Sequence, residues 1–263
     1  MRRLCLVAVG AAFLAAGCMD STAGPGWRAV GRSVEEREIR ALVVGRAESA
    51  AIIFGAFHGD EPESAELAFR FAEYLWRNPE DARGRRVVIV PEVNPDGLAS
   101  RKRTNANGVD INRNVAVSNW MPRGRKTRSF GGELPSSEPE SRVVLRLMQR
   151  YRPEVVVSIH SIRSGRQCVN YDGPAKELAE RMSKLCGYPA KGSIGYPTPG
   201  SFGTYAGKQL GVPTITLELP RGAAVGDIWE KCRLAMLEAV RWRPRFPVRR
   251  APGRGPGRDR LGR

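Results

Sequence analysis

The chain reads as a single α/β domain, a mixed and largely parallel twisted sheet with helices on both faces. Short apolar runs rich in β-branched residues (Ala51–Phe57, Arg86–Val93, Val155–Ile159, Thr214–Leu219) alternate with segments whose apolar residues recur at helical spacing. The 263 residues are 41% hydrophobic and 27% charged, enough to bury one full core and unlike a disordered chain. Polar residues gather at the ends of the apolar runs, where sites lie in such sheets.

Residues 1–17 read as a signal segment. Arg2 and Arg3 precede an apolar run, Leu4 to Ala16, too short to span a membrane as a mature helix. Leu14-Ala15-Ala16-Gly17-Cys18 resembles a bacterial lipobox. Cys18 is therefore the expected lipidation site, and the mature protein is expected in the periplasm or outer cell envelope, lipid-anchored. The rival is cleavage after a small residue, giving a soluble exported protein. Residues 18–30, with Gly24-Pro25-Gly26, are expected as a tether, residues 31–242 as the domain carrying the chemistry, and residues 243–263 as a disordered basic tail. The net charge of +16 is concentrated in that tail, since residues 241–263 hold nine Arg against one Asp. Such a tail suits anionic polymers or lipid head groups. An exported chain is not expected to meet nucleic acid.

Within the domain, Ile39 to Val44 and Ala51 to Phe57 are expected strands joined by a polar turn. Pro62 opens a helix whose buried stripe is Leu67, Ala68, Phe71, Ala72, Leu75 and Trp76. Arg86 to Val93 is a buried strand broken by Asn94-Pro95-Asp96-Gly97. Residues 98–136 lack periodicity, and a segment of that length inside a compact domain is usually functional. Ser137-x-x-Glu140 reads as a capping box for a helix bearing Val143, Val144, Leu147 and Met148. Val155 to Ile159 is a strand ending at His160. Leu178, Met182, Leu185 and Cys186 mark a helix stopped by Gly187. Thr214 to Leu219 is a strand, and Ile228, Cys232, Ala235, Met236 and Ala239 mark the last helix. Of the five cysteines, Cys168, Cys186 and Cys232 remain after the leader and Cys18, so at most one disulfide can form.

The chain has only two histidines, His58 and His160, each just after an apolar run. His58-x-x-Glu61 offers an imidazole and a carboxylate to one metal ion, and His160 makes the third ligand. Two His and one Glu suit a single catalytic Zn²⁺ with an open position. Water at such a site needs a base, and Glu218 stands at the end of an otherwise apolar strand, where an acid must face a cleft or a partner. The run Arg103 to Asn114 is dense in groups that bind carboxylates and carbonyls, and Asp110 within it could fix the tautomer of a ligating imidazole.

His58-x-x-Glu61, Asn94-Pro95-Asp96-Gly97, Gly108-Val109-Asp110-Ile111-Asn112-Arg113-Asn114, Ser158-Ile159-His160-Ser161 and Thr216-Leu217-Glu218 together resemble, in order, the signatures of the zinc metallocarboxypeptidases. The resemblance spans roughly residues 30–242. Arg103-Thr104-Asn105-Ala106-Asn107-Gly108, Ser137-Glu138-Pro139-Glu140 and Gly195-Tyr196-Pro197-Thr198-Pro199-Gly200-Ser201-Phe202-Gly203 look like the bacterial murein peptide amidase A group. That group cuts between γ-D-glutamate and meso-diaminopimelate in peptidoglycan peptides. The resemblance implies a zinc carboxypeptidase-like fold and a peptidoglycan-derived peptide as substrate. It also implies Zn²⁺ on His58, Glu61 and His160, Glu218 as base and then acid, and Arg103 polarising the scissile carbonyl. Asn112 and Arg113 would hold the free carboxylate of the leaving residue, Asp110 would orient His58, and Tyr196 would be the mobile tyrosine that closes over substrate.

The sequence departs from the pattern at Val115, where an aromatic is frequent, and at Arg163 and Arg166, where the amidases carry an acidic, apolar stretch. Three other functions stay open at this point. A conventional carboxypeptidase would use Phe202 in an apolar side-chain pocket. An N-acyl amino acid deacylase would share the zinc site. A wall-binding lipoprotein with a dead site would bind no zinc.

Overall fold

The computed structural model describes residues 25–122, 124 and 127–244. The signal segment, Cys18, the first part of the tether and nearly all of the basic tail lie outside the described residues.

Eight strands form one sheet among the described residues: β1 (Arg28–Arg32), β2 (Glu38–Val44), β3 (Ala50–Phe54), β4 (Arg86–Val90), β5 (Val155–Ile162), β6 (Cys168–Asp172), β7 (Ala190–Lys191) and β8 (Thr214–Pro220). Their order is β1-β2-β4-β3-β5-β8-β6-β7. The centre, β4-β3-β5-β8, is parallel, while β1, β2 and β6 pair antiparallel with their neighbours and β7 runs parallel to β6. The sheet is therefore mixed, as expected. Strands β1, β6 and β7 were not legible in the pattern: β1 and β7 are the two edge strands, where little apolar alternation is required, and β6, just inside β7, ends in the polar run Asn170-Tyr171-Asp172. β1 starts at Arg28, so the last residues assigned to the tether belong to the first strand instead.

The described residues also form five α-helices: α1 (Pro62–Arg77), α2 (Pro95–Ser100), α3 (Pro139–Tyr151), α4 (Lys176–Cys186) and α5 (Val225–Arg241). Alternate residues of each central strand serve different cores. Val155, Val157 and Ile159 of β5 and Ile215, Leu217 and Leu219 of β8 pack with α1, α4 and α5 on one face. On the other face Ile52, Phe54, Val88, Val90 and Val156 pack with α3, Phe57, Ile111 and Phe202. Toward the C-terminal ends of β5 and β8 this second face turns polar, with Ser158 and His160 beside Thr216 and Glu218.

The structure corrects several boundaries. β3 ends at Phe54 and β4 at Val90, each three residues short of the expected strand, and His160 sits inside β5 rather than after it. Asn94-Pro95-Asp96-Gly97 starts α2, with the Asn94 side chain accepting from Gly97 N–H at 2.9 Å as a helix cap. No capping box forms at α3. Its N-cap is Glu138, and Ser137 donates to Glu138 instead. Glu140 accepts from the Val34 N–H and from Asn105, a long-range use of the side chain that displaces the local one. Leu185, expected in the buried stripe of α4, is 44% exposed. Gly187 closes α4 at φ 73°, a left-handed cap. Cys168, Cys186 and Cys232 are buried free thiols.

Buried polar groups order the long segment 98–136. Asn105 Nδ2 donates to Glu138 and Glu140 at 2.7 and 3.1 Å, while Asn105 Oδ1 accepts from the N–H groups of Asn107 and Val109. Asn114 Nδ2 donates to the carbonyls of Gly131 and Leu134, and its Oδ1 accepts from Glu138 N–H. Buried polar atoms without partners are costly, so this mutual satisfaction fixes a segment that has little regular structure.

Candidate metal centre and active site

His58 and Glu61 belong to the turn that leaves β3, and that turn is held at two points. Asn94 Nδ2 donates to Phe57 O at 3.3 Å and to Arg103 O at 3.4 Å, linking the metal motif to α2 and the long segment. Gly59 lies so near the Gly97 backbone that a Cβ there would overlap the Gly97 carbonyl. The role of Asn94 was missed because its spacing to either partner carries no periodic signal.

His58 Nδ1 lies 2.9 Å from Glu61 Oε1 and 3.2 Å from His160 Nδ1, and His160 Nδ1 lies 3.0 Å from Glu61 Oε2. The three ligand atoms fall within 4.8 Å of one another, and all three side chains are buried. Two imidazole nitrogens facing each other across a carboxylate form a donor set that fits Zn²⁺. His58 Nε2 meets Asp110 Oδ1 at 3.1 Å, which leaves Nδ1 free for a metal. Desolvation favours neutral forms throughout. Even so, His58 and His160 hold the Glu61 carboxylate well below its usual range, and His58 and Arg103 do the same for Asp110. For His58 the pull of Glu61 and Asp110 outweighs burial and raises its pKa, whereas burial prevails at His160 and lowers it.

Glu218 is 6% exposed, and burial followed by the negative charge of Glu61 raises its pKa to about 7. A carboxyl group titrating there can accept and return a proton near neutrality. Arg103 binds Asp110 through Nε and Nη2 at 3.0 and 2.9 Å and reaches Glu61 Oε1 from Nη1 at 3.5 Å. Asn112 Nδ2 lies 3.3 Å from His160 Nε2, and its Oδ1 accepts from Phe202 N–H at 3.0 Å. Arg113 is buried, its Nη1 donating to Asn112 O at 2.6 Å.

His58, Glu61, His160, Glu218, Arg103, Asn112 and Arg113 share one cleft of about 800 Å³. Six cations line it (Arg103, Arg113, Arg128, Arg163, Lys208, Arg221) against three acids (Glu61, Asp172, Glu218), which suits a substrate with several carboxylates. Tyr196 stands at the cleft, 52% exposed. Arg163 lines the cleft and Arg166 does not. Phe202, expected in a side-chain pocket, is instead fully buried between Phe54 and Phe57 and does not line the cleft.

Sequence reasoning missed Arg221. Its guanidinium reaches Glu61 Oε1, Asp60 Oδ2 and Ser161 O, each at 3.3 Å, and Arg128 reaches Asp60 Oδ2 at 3.0 Å. Asp60 is thus a bridge between two arginines rather than a ligand. Only the position of Arg221 just past Glu218 could have drawn notice.

The buried His₂Glu set beside an up-shifted carboxyl, on the polar face of a mixed α/β sheet, defines a zinc hydrolase. The chain belongs to the zinc carboxypeptidase family, whose model matches residues 27–226. It is 34% identical to murein peptide amidase A of Escherichia coli K12 over 213 residues, covering 77% of this chain and 83% of that protein. The crystal structure of a murein-tripeptide amidase from Escherichia coli O157 is similar at TM-score 0.67 and 30% identity, covering 86% of this chain and 96% of that one. Bovine thrombin-activatable fibrinolysis inhibitor, in complex with tick carboxypeptidase inhibitor, shares the fold at TM-score 0.71 and 20% identity, with 82% and 89% covered. The protein is a zinc metallopeptidase of the kind that acts on amide or peptide bonds, and His58, Glu61 and His160 are placed so that they could hold its metal ion.

Proposed function

We propose that this enzyme releases the residue that follows a scissile amide in peptidoglycan peptides, at the bond between γ-D-glutamate and meso-diaminopimelate. One observation carries the reading: the metal set, the Glu218 base and Arg113 all line a single cationic cleft. Likeness to the murein peptide amidases supports the choice of substrate. The burial of Phe202 removes the feature that favoured apolar C-terminal residues.

His58, Glu61 and His160 would hold Zn²⁺, which when bound would supply Lewis acidity toward water and the scissile carbonyl. Glu218 takes a proton from the attacking water and returns it to the leaving amine, a role open to a carboxyl that lines the cleft beside the metal set. Arg103, fixed by Asp110, presents positive charge where the carbonyl oxygen becomes negative. Arg113 and Asn112 receive the free carboxylate of the leaving residue, and Tyr196 covers it. The lipobox-like segment supports export, with Cys18 as lipid anchor, and hence action on the wall or on released muropeptides; the basic tail then faces anionic envelope polymers.

The test is incubation of the zinc-loaded protein with L-Ala-γ-D-Glu-meso-diaminopimelate, followed by mass spectrometry. Free diaminopimelate is expected. Its absence, beside cleavage of ordinary C-terminal peptides, would leave a conventional carboxypeptidase. Metabolic labelling with palmitate separates lipid-anchored from soluble export, and loss of label in Cys18→Ala is expected.

A further inference from the structure

The far end of the cleft carries polar groups that the proposed mechanism does not use. β6 runs antiparallel to β8, with Cys168 opposite Glu218, Asn170 opposite Thr216 and Asp172 opposite Thr214. Asn170 and Asp172 therefore share a sheet face with the base. Four residues of strand separate the level of Glu218 from that of Asp172, roughly 13 Å at about 3.3 Å per residue. Asp172 ends this polar row and faces Lys208 Nζ at 3.5 Å. Lys208 comes from a π-helical turn, Thr204–Gln209, and such turns are frequent at functional sites.

Two further features point to a ligand. Asn170 Oδ1 and Ser158 Oγ are buried without a hydrogen-bond partner, and both residues line the cleft between the metal set and Asp172. Gly203 leaves the Asp172 carboxylate open, because a Cβ there would lie 2.6 Å from Asp172 Oδ2. The Asp172 side chain is 16% exposed and that of Lys208 66% exposed, so their pair is weak and exchangeable for bonds to a ligand.

We propose that Asp172, with Asn170, binds the distal ammonium and Lys208 the distal carboxylate of the leaving residue's side chain. The cleft thereby selects a diamino dicarboxylic acid over residues carrying only one of those groups. The assignment rests on the amidase reading above. The charges oppose as required: an anion and an unpaired amide oxygen for the ammonium, a cation for the carboxylate, a strand's length from the reacting atoms. A site that bonds a polar group discriminates against the analogue lacking it, because its own groups are left unpaired.

Three tripeptides test this with the zinc-loaded full chain. One ends in meso-diaminopimelate, one in L-lysine, which lacks the distal carboxylate, and one in L-2-aminopimelate, which lacks the distal amine. Wild type is expected to favour the first in kcat/KM by about 10- to 100-fold over each of the others, below the limit for a fully enclosed site. Asp172→Asn should erase most of the preference over 2-aminopimelate and keep that over lysine, and Lys208→Gln should do the reverse. This crossed pattern is a readout that misfolding cannot mimic, and zinc content of each variant is measured alongside. Equal cleavage of all three peptides by wild type, or an equal loss on all three in Asp172→Asn, would overturn the assignment while leaving the amidase reading standing. Failure of wild type to cut the diaminopimelate peptide, with ordinary C-terminal peptides cut, would overturn both.

Discussion

Glu218 on β8 stands directly opposite His160 on β5 in the parallel register. Residues so paired share a sheet face, so the proposed base and a candidate metal ligand are held together by backbone hydrogen bonds rather than by a loop. Catalysis that depends on their separation is therefore built into the sheet.

Glu218→Gln should retain zinc and lose turnover by about 10²- to 10⁴-fold, the usual range for a positioned acid–base group. In wild type, kcat/KM should fall on the acid side of neutrality as the carboxyl takes up its proton. A bound cation favours the ionised form, so the midpoint should lie below the metal-free value of about 7. Metal analysis and a pH–rate profile check both, and a wild-type rate in the variant would remove Glu218 from the mechanism.

The same carboxyl should cost the metal-free protein stability. Its folded pKa is raised to about 7 from 4.5. Between those values the folded chain holds a proton that the unfolded chain has lost, so stability falls as pH rises through that window. The full penalty is roughly 3 kcal/mol above neutrality, at about 1.36 kcal/mol per unit. Metal-free Glu218→Gln should resist urea better than wild type at pH 8 and equally at pH 4.

Asp110→Asn should weaken zinc binding by about 10- to 100-fold, because the amide cannot hold the His58 tautomer as the carboxylate does. It also frees Arg103, which Asp110 fixes. Competition with a chromophoric chelator measures the affinity, and unchanged zinc binding would show that Asp110 does not orient the imidazole.

Gly59→Ala should impair metal binding without touching a ligand. The new methyl overlaps the Gly97 backbone, so the His58–Glu61 turn or the start of α2 must shift. A cost of about 1–3 kcal/mol follows from such overpacking. Calorimetry with and without zinc should show a smaller zinc-induced rise in Tm than in wild type.

The sequence by itself determined the chemistry of the metal set and the alternation of central strands with helices. Both rest on local signals. With only two histidines, each beside an apolar run, the metal motif stood out, and strands buried on both faces read as continuous apolar runs. The border strands, the α2 cap and the ordering of residues 98–136 were not legible, since Asn94, Asn105, Asn114 and Glu138 act through partners distant in sequence. Ser137-x-x-Glu140 shows the hazard of a local rule, for Glu140 turned to Asn105 and Val34 instead of capping its own helix. Only the tertiary structure placed Arg221 on Glu61, hid Phe202, and set Asp172 and Lys208 at the far end of the cleft. Pairing register and burial decide such contacts, and neither is written in the spacing of residues along one chain.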